Sequence, residues 1–217
     1  MKSLELFLPY LLPQLPGCPE PLALQQLALA ARDFCHDTHV IQVVTGPEAV
    51  VADEPTYTLT LPSQSELVQI ERAWYGNRLL SLIPSIDIGS PLAYAGQVGT
   101  TTRESGSPLA AYTTTTTSIS LDPPPDTSAS LMLTVRFSVK PIVGATSVDD
   151  RLFDSWLDGV LNGALYRLCM LPAQPFSNPT LAVAALNLSR YYVSRARAEA
   201  RVGRIQGDTR VQMRPFA

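Results

Sequence analysis

The run SVDDRLFDSWLDGVLNGALYRLC, residues 147–169, has the pattern of an amphipathic helix. Asp149 and Asp150 stand at its start, where carboxylates interact favourably with the positive end of a helix dipole. Apolar residues then recur at spacings of three and four and define one stripe: Phe153, Trp156, Leu157, Val160, Leu161, Ala164, Leu168 and Cys169. The sequence therefore predicts a helix that ends before Pro172 and packs through this stripe.

Two further helices are predicted, one on each side of this run. Asn178 is an N-cap residue followed by a proline at the first helical position, and an apolar stripe continues from there to a stop at Gly203. Nearer the start, two prolines suit the first turn of a helix over residues 19–39. Because no other helical surface is predicted, we expect this first helix to bury its stripe only against the other two.

The chain before the first helix is apolar but rich in proline. Residues 9–19 contain four prolines, which lack the amide hydrogen that a helix interior requires. We therefore expect residues 6–19 to pack as an extended lead-in rather than as a helix.

Between the first and second helices the periodicity changes to that of β-strands. β-branched residues and two-residue alternation predict five or six strands, of which the last is the clearest: 40–44, 57–61, 67–75, 78–83, 111–121 and 131–139. Three prolines at 123–125 turn the chain, so we expect the last two strands to form an antiparallel hairpin. Residues 85–110 mix Gly, Ser, Pro and Thr without periodicity and are interpreted as a long loop.

Together these elements predict an α+β fold in four parts. Residues 1–42 hold the lead-in and the first helix, and 142–203 hold the other two helices, so that the two segments form a three-helix base. Residues 43–141 form an inserted antiparallel β region that projects from this base. Residues 204–217 form an extended, basic C-terminal arm.

The composition excludes two classes of protein. Of 217 residues, 46% are apolar and the net charge is only −3, which does not fit an intrinsically disordered chain. No stretch approaches the length of apolar sequence that a membrane span needs, and residues 1–5 begin no secretory signal. Cys18, Cys35 and Cys169 form no C-x-x-C pair. We expect a cytosolic protein with reduced, structural thiols.

Positive charge is concentrated near the C-terminal end. Residues 190–217 contain seven arginines and two acidic residues, whereas the rest of the chain contains nine basic and seventeen acidic residues. If the third helix runs to about residue 204, the arginines at 190, 197, 201 and 204 lie on one face. Such a stripe suits either the phosphates of a nucleic acid or the carboxylates of a neighbouring protein.

The chain after Gly203 contains little apolar material and cannot build a core. It alternates Arg and Gln with Val and Met, and segments of this kind add a strand to a partner or dock in a groove. The alternative interpretation is a frayed, disordered terminus.

Residues that carry chemistry are few. His36 and His39 are the only histidines, and a metal site would need a third ligand that the sequence does not nominate, so we interpret them as helix-end imidazoles. The glycines in 96–99 lack the lysine and the strand-to-helix context of a phosphate loop. We predict no catalytic residue, no metal site and no cofactor.

Two polar patterns suggest contacts rather than catalysis. The five threonines at 113–117 suggest an edge strand or a strand shared between subunits. Four aspartates recur along one face of the second helix and suggest a face that is solvated or lies between subunits: Asp149, Asp150, Asp154 and Asp158.

Two longer runs resemble a known family. Residues 8–21, LPYLLPQLPGCPEP, precede an Ala/Leu helix that contains ARDFC at 31–35. Residues 153–168, FDSWLDGVLNGALYRL, precede Pro172 and then PFSNP at 175–179. In this order and spacing, the runs are similar to the tailed-bacteriophage adaptor proteins, which connect head to tail below the portal.

The resemblance implies a virion structural protein at the head-tail interface, assembled in the cytoplasm of a bacterial host. It implies a ring of twelve copies around the DNA channel, with the portal and a downstream tail component (tail tube, nozzle or terminator) as partners. Genomic DNA passes without sequence-specific contacts, and no membrane is involved. The C-terminal arm is expected to bind the portal through Arg201, Arg204, Ile205, Arg210, Val211, Met213, Arg214 and Phe216.

Two other functions remain open at this point. A nucleic-acid-binding accessory protein would use the arginine stripe to contact phosphates. A hydrolase would use His36 or His39 as its base.

Overall fold

The computed structural model of the chain describes residues 1–83, 105–113 and 115–202. Four α-helices lie within these residues: α1 (Leu8–Leu11), α2 (Glu20–Thr38), α3 (Asp150–Cys169) and α4 (Pro179–Val202). The three long helices confirm the sequence prediction, and the mixed α+β class is confirmed with them. Most of the predicted loop, the glycines at 96–99 and the predicted arm lie outside the described residues.

The proline-rich start is helical, so the prediction of an extended lead-in is wrong. Turns of 3-10 helix at Leu4–Phe7 and Leu12–Gln14 flank α1. Prolines stand in the first turn of α1 and of the second 3-10 turn, where no intrahelical bond needs their amide hydrogen. Phe7, Leu11 and Leu15 are buried, and this burial fixes the succession of short turns against the core.

The second and third long helices begin at the predicted caps. The Asp149 carboxylate accepts a hydrogen bond from the Arg151 amide at 2.9 Å, and Asn178 Oδ1 accepts one from the Leu181 amide at 3.1 Å. Both contacts satisfy amide groups that the first turn of a helix leaves without a partner. α2 ends at His39, which adopts a left-handed backbone conformation with φ of 55°.

α3 packs against both α2 and α4, which also contact each other. Two glycines of α3 allow this close approach. A Cβ atom on Gly159 would lie 2.7 Å from Phe34 Cε2 and 3.1 Å from Tyr192 Cβ. A Cβ atom on Gly163 would lie 3.4 Å from Ala30 Cβ. The neighbouring helices therefore approach α3 more closely at Gly159 than at Gly163.

The β region is made of two sheets. The first has the order β2-β10-β5-β6, with β3 also paired to β10, and its strands are antiparallel. The second has the order β4-β9-β8-β7 and contains one parallel pair, β7 with β8. A separate short pair joins β1 to β11. The bounds are β1 (Lys2–Ser3), β2 (Gln42–Val44), β3 (Glu48–Val50), β4 (Thr56–Thr58), β5 (Ser65–Tyr75), β6 (Arg78–Leu79), β7 (Ser81–Leu82), β8 (Ala110–Tyr112), β9 (Ser118–Asp122), β10 (Ala129–Pro141) and β11 (Ser147–Val148).

The predicted hairpin between 111–121 and 131–139 is wrong. Residues 111–121 contain two strands, because β8 and β9 pair with each other and residues 115–117 form the bend and turn between them. β10 pairs with β5 instead. Threonine favours strands because its side chain is branched at Cβ, but a run of polar residues does not specify which strand it pairs with. When the chain folds back at residues 115–117, Ile119 and Leu121 become buried beside Ala111. The expectation that the threonines form an edge strand is therefore wrong for Thr113 and residues 115–117, which lie outside the strands of the chain; a strand shared between subunits stays a prediction.

α2 also packs against β10, so the expectation that it meets only the other long helices is wrong. The Arg32 guanidinium donates a hydrogen bond to the Pro141 carbonyl at 3.0 Å. Buried apolar side chains of the helices and of β10 form one continuous core. A helix with a wide apolar stripe can pack against two neighbours at once, and the spacing of its apolar residues does not show how many neighbours cover the stripe. The boundaries of the four predicted parts stay predictions.

Candidate functional site

The C-terminal half of α4 presents arginines to a groove between α2, α3 and α4. Arg190, Arg197 and Arg201 line this groove, whose volume is about 900 Å³. Their spacing along α4 is close to whole helical turns, so their side chains emerge on one side. The arginine stripe expected from the sequence is thus observed for these three residues. Arg204 lies outside the described residues.

A second groove of about 620 Å³ adjoins the first and shares Arg197 and Arg201 with it. Arg72 of β5 and Arg136 of β10 line this second groove. The two face each other directly across the β5–β10 ladder. Sequence reasoning missed both, because the signal is the register between two strands that lie far apart in the chain.

Three of the groove arginines are held by hydrogen bonds, one of them Arg167 of α3, which pairs with Asp33. Arg197 Nε donates to the Asp37 carbonyl at 2.6 Å, which ties α4 to the end of α2. Arg136 Nε donates to Gln42 Oε1 at 2.9 Å. Gln42 Nε2 in turn donates to the Ala200 carbonyl at 3.3 Å, which ties β2 to the last turns of α4. These bonds fix the junction at which the two grooves meet.

The other three, Arg72, Arg190 and Arg201, are exposed. Within the part of the chain that the structure describes, their guanidinium groups have no hydrogen bond or ion pair. An exposed guanidinium without a partner keeps its charge and its five N–H donors available.

The acidic side chains in the two grooves lie beside basic side chains of the same chain. Asp33 forms an ion pair with Arg167 of α3. Glu71 Oε1 lies 3.4 Å from His39 Nδ1. The third acid, Asp37, lies beside exposed His36, with 3.4 Å between Oδ1 and Nδ1. The paired grooves therefore carry an excess of positive charge.

His39 occupies a structural position rather than that of a catalytic base. Its Nδ1 atom lies 2.9 Å from the hydroxyl of Ser138, and Glu71 approaches the same nitrogen. In a relay of nucleophile, base and carboxylate, the two partners use different ring nitrogens. Ser138 is also fully buried, so its hydroxyl is not accessible to a substrate. In residues 1–83, 105–113 and 115–202, no three His, Cys, Asp or Glu side chains cluster as metal ligands.

The aspartates of α3 have partners within the chain. Asp149 caps α3, as described above. Asp150 pairs with the amino group of Met1 at 2.9 Å, Asp154 pairs with Lys2, and Asp158 accepts from the Tyr192 hydroxyl at 3.1 Å. The hydrogen bond to Asp158 raises the pKa of the Tyr192 hydroxyl. Asp150 and Asp154 remain about half exposed, but these pairs reduce the negative charge that the face offers to a neighbour.

The three cysteines are free, as the sequence predicts. Cys35 and Cys169 are buried, and Cys18 is partly exposed. Burial raises the pKa of all three thiols, which keeps them protonated and poorly nucleophilic.

Of the residues predicted to form the arm, the structure describes only Arg201, which is exposed in the last described turn of α4. The others lie outside the described residues: Arg204, Ile205, Arg210, Val211, Met213, Arg214 and Phe216. Their role stays a prediction.

Comparison with protein families places this chain in the class of phage structural adaptors, which are not enzymes. The family model described as SU10 adaptor protein matches residues 10–216. The chain therefore belongs to the SU10 adaptor protein family, a family of phage head-to-tail adaptors. No curated protein matches it. None of the described helices combines the length and the apolar character that crossing a membrane requires.

Proposed function

We propose that the protein forms a ring of twelve copies below the portal and joins the phage capsid to its tail. The family match over residues 10–216 is the observation that carries this proposal. The protein is then a virion component that is assembled in the cytoplasm of a bacterial host. Genomic DNA passes through the ring without sequence-specific contacts.

In this proposal α2, α3 and α4 form the body of the ring, and the β region faces the downstream tail component: a tail tube, nozzle or terminator. The close packing around Gly159 supports a rigid body. The bonds from Arg32 to Pro141 and from Gln42 to Ala200 support a fixed orientation of the first sheet on the helices.

Charge supports the role of a channel. Residues 1–189 contain seventeen acidic and nine basic side chains. A tube with a net negative wall repels the DNA backbone and lets it slide, because like charges prevent tight binding.

The arm, residues 204–217, is proposed to bind the portal. It continues from α4, whose exposed Arg201 begins the proposed contact. The arm contributes arginines at 204, 210 and 214 for carboxylates, and Ile205, Val211, Met213 and Phe216 for apolar contacts. Fully extended, fourteen residues span on the order of 50 Å, which is enough to cross onto a neighbouring protein.

Deletion of residues 204–217 tests the proposal. We expect the truncated protein to keep its helical circular dichroism and its melting temperature, and to lose attachment to portal-containing capsids in a sedimentation assay. The matched control replaces the same fourteen residues with a Gly/Ser sequence, which keeps chain length but removes the side chains. Attachment of the truncated protein at full strength would contradict the proposed arm.

The second candidate function, a nucleic-acid-binding accessory protein, is favoured by the arginine stripe at 190, 197 and 201. It predicts measurable affinity of the full chain for duplex DNA at physiological salt, with a steep decrease as salt rises. Absence of such binding in an electrophoretic shift assay removes this candidate.

A further inference from the structure

We propose that the two adjoining grooves beside α4 bind an extended, acidic polypeptide segment of a partner protein. The inference goes beyond the proposed function, because it concerns the folded body and uses no residue after 202; Arg201 is the one residue that it shares with the proposed portal contact. It rests on five guanidinium groups that converge from three elements: Arg72, Arg136, Arg190, Arg197 and Arg201.

The charge of the grooves specifies the chemistry of the partner. Arg72, Arg190 and Arg201 are unpaired among the described residues, and Arg197 uses only its Nε for the Asp37 carbonyl. A guanidinium fork matches a carboxylate with two parallel hydrogen bonds. The site therefore has donors ready for several carboxylates at once.

The dimensions favour an extended segment. Arg190 and Arg201 are eleven residues apart on α4, a rise of about 16 Å at about 1.5 Å per residue. An extended chain covers this distance in about five residues at about 3.3 Å per residue. The first groove lies between α2 and α4, which both pack against α3. A groove of this shape fits one extended chain laid along it better than it fits a broad protein surface.

A peptide fits this site better than a nucleic acid. Asp33, Asp37 and Glu71 lie among the arginines, so the positive charge is discontinuous and does not match the evenly spaced charges of a phosphate backbone. A peptide can place its carboxylates singly, opposite the unpaired arginines. A duplex is also wider than the spacing of two packed helices, about 8–10 Å. The chain's own C-terminal residues carry further arginines and would be repelled by the site.

Fluorescence anisotropy with the full chain tests the inference. The probe is a fluorescein-labelled heptapeptide with glutamate at alternate positions and glycine between them. We expect binding at about 50 mM salt that weakens at least tenfold at about 300 mM, because the contacts are exposed ion pairs. The same peptide with glutamine in place of glutamate should not bind.

Variants localise the binding. The double substitution Arg190→Gln with Arg201→Gln should weaken peptide binding about tenfold, because it removes two of the unpaired guanidinium groups. Arg78→Gln is the matched control: Arg78 is an exposed arginine of β6 that lines neither groove, and its loss should change nothing. Circular dichroism and melting temperature verify that both variants fold.

Three outcomes overturn the inference. The first is no binding of the glutamate peptide at low salt. The second is equal loss in the Arg78→Gln control, which would mean that binding follows net charge alone. The third is tighter binding of a duplex of about 20 base pairs that the same double substitution abolishes, which would assign the grooves to nucleic acid.

Discussion

Gly159 is the residue at which a single added methyl group meets both neighbouring helices. Its Cβ would lie 2.7 Å from the Phe34 ring and 3.1 Å from Tyr192 Cβ. We expect Gly159→Ala to lower the free energy of unfolding by about 1–3 kcal/mol, because the cost of overpacking exceeds the gain of about 1 kcal/mol in helix propensity. Urea denaturation followed by circular dichroism measures the difference.

Gly163→Ala is the matched control on the same helix. Its Cβ would lie 3.4 Å from Ala30 Cβ, a tight contact but not an overlap. The gain in helix propensity then offsets the packing cost, and we expect a change within about 1 kcal/mol. Equal losses at the two glycines would mean that the close approach at Gly159 does not limit packing.

Residue-scale features that depend on near neighbours in sequence were predictable. The caps at Asp149 and Asn178 follow from residue types at the start of a helix, and the alignment of Arg190, Arg197 and Arg201 follows from helical spacing. The approach of Arg72 and Arg136 was not predictable, because it depends on strand register across more than sixty residues of chain. The proposed peptide site therefore combines a predictable half, on α4, with an unpredictable half, on the sheet.

At the scale of elements, α4 depends on its first turn. Asn178 Oδ1 accepts a hydrogen bond from the Leu181 amide, and the Asn178 carbonyl accepts one from Ala182. We expect Asn178→Ala to cost about 1 kcal/mol of stability, because the amide in the first turn loses its side-chain acceptor. Thermal unfolding should show a melting temperature a few degrees lower.

Asn187→Ala serves as the control for that substitution. Asn187 is an exposed residue in the interior of α4, so the same chemical change there improves helix propensity and removes no cap. The melting temperature should stay constant or rise. A decrease equal to that of Asn178→Ala would show that the cap contributes nothing specific.

Elements whose apolar residues recur at regular spacing were predicted well, and elements without such regular spacing were not. The long helices were found from apolar spacing and caps alone. The polar threonine run was interpreted as part of one strand, although the chain turns there so that β9, with buried Ile119 and Leu121, pairs with β8 in the second sheet. The proline-rich start was interpreted as extended, because its helix propensity is low. Its single helical turns are stabilised instead by burial of Phe7 and Leu11, which the local sequence does not show.

At the scale of the whole molecule, the core runs without interruption from the helices into the first sheet. We therefore expect the helices and this sheet to unfold together in one cooperative transition. The chain offers one tryptophan in each part, Trp74 in β5 and Trp156 in α3. The variants Trp74→Phe and Trp156→Phe measure the two parts separately. In the first variant the fluorescence of Trp156 reports on the helices, and in the second the fluorescence of Trp74 reports on the first sheet. Each variant is denatured and followed by fluorescence and by circular dichroism.

Within each variant, the fluorescence and circular dichroism midpoints should coincide. Wild-type protein, followed by both signals, is the reference for any loss of stability that the substitutions cause. Two separate transitions would instead show that residues 43–141 fold as an independent unit, as the sequence-based division into parts suggests.

The bonds that tie the last turns of α4 to its neighbours determine how the molecule carries mechanical load. Arg197 binds the end of α2, and Ala200 is bound by Gln42 of β2. A force applied to the C-terminal end of α4 is therefore transmitted to α2 and to β2 within about two helical turns. Tension is shared between them from the start, so the last turns of the helix resist being pulled away from α2 and β2.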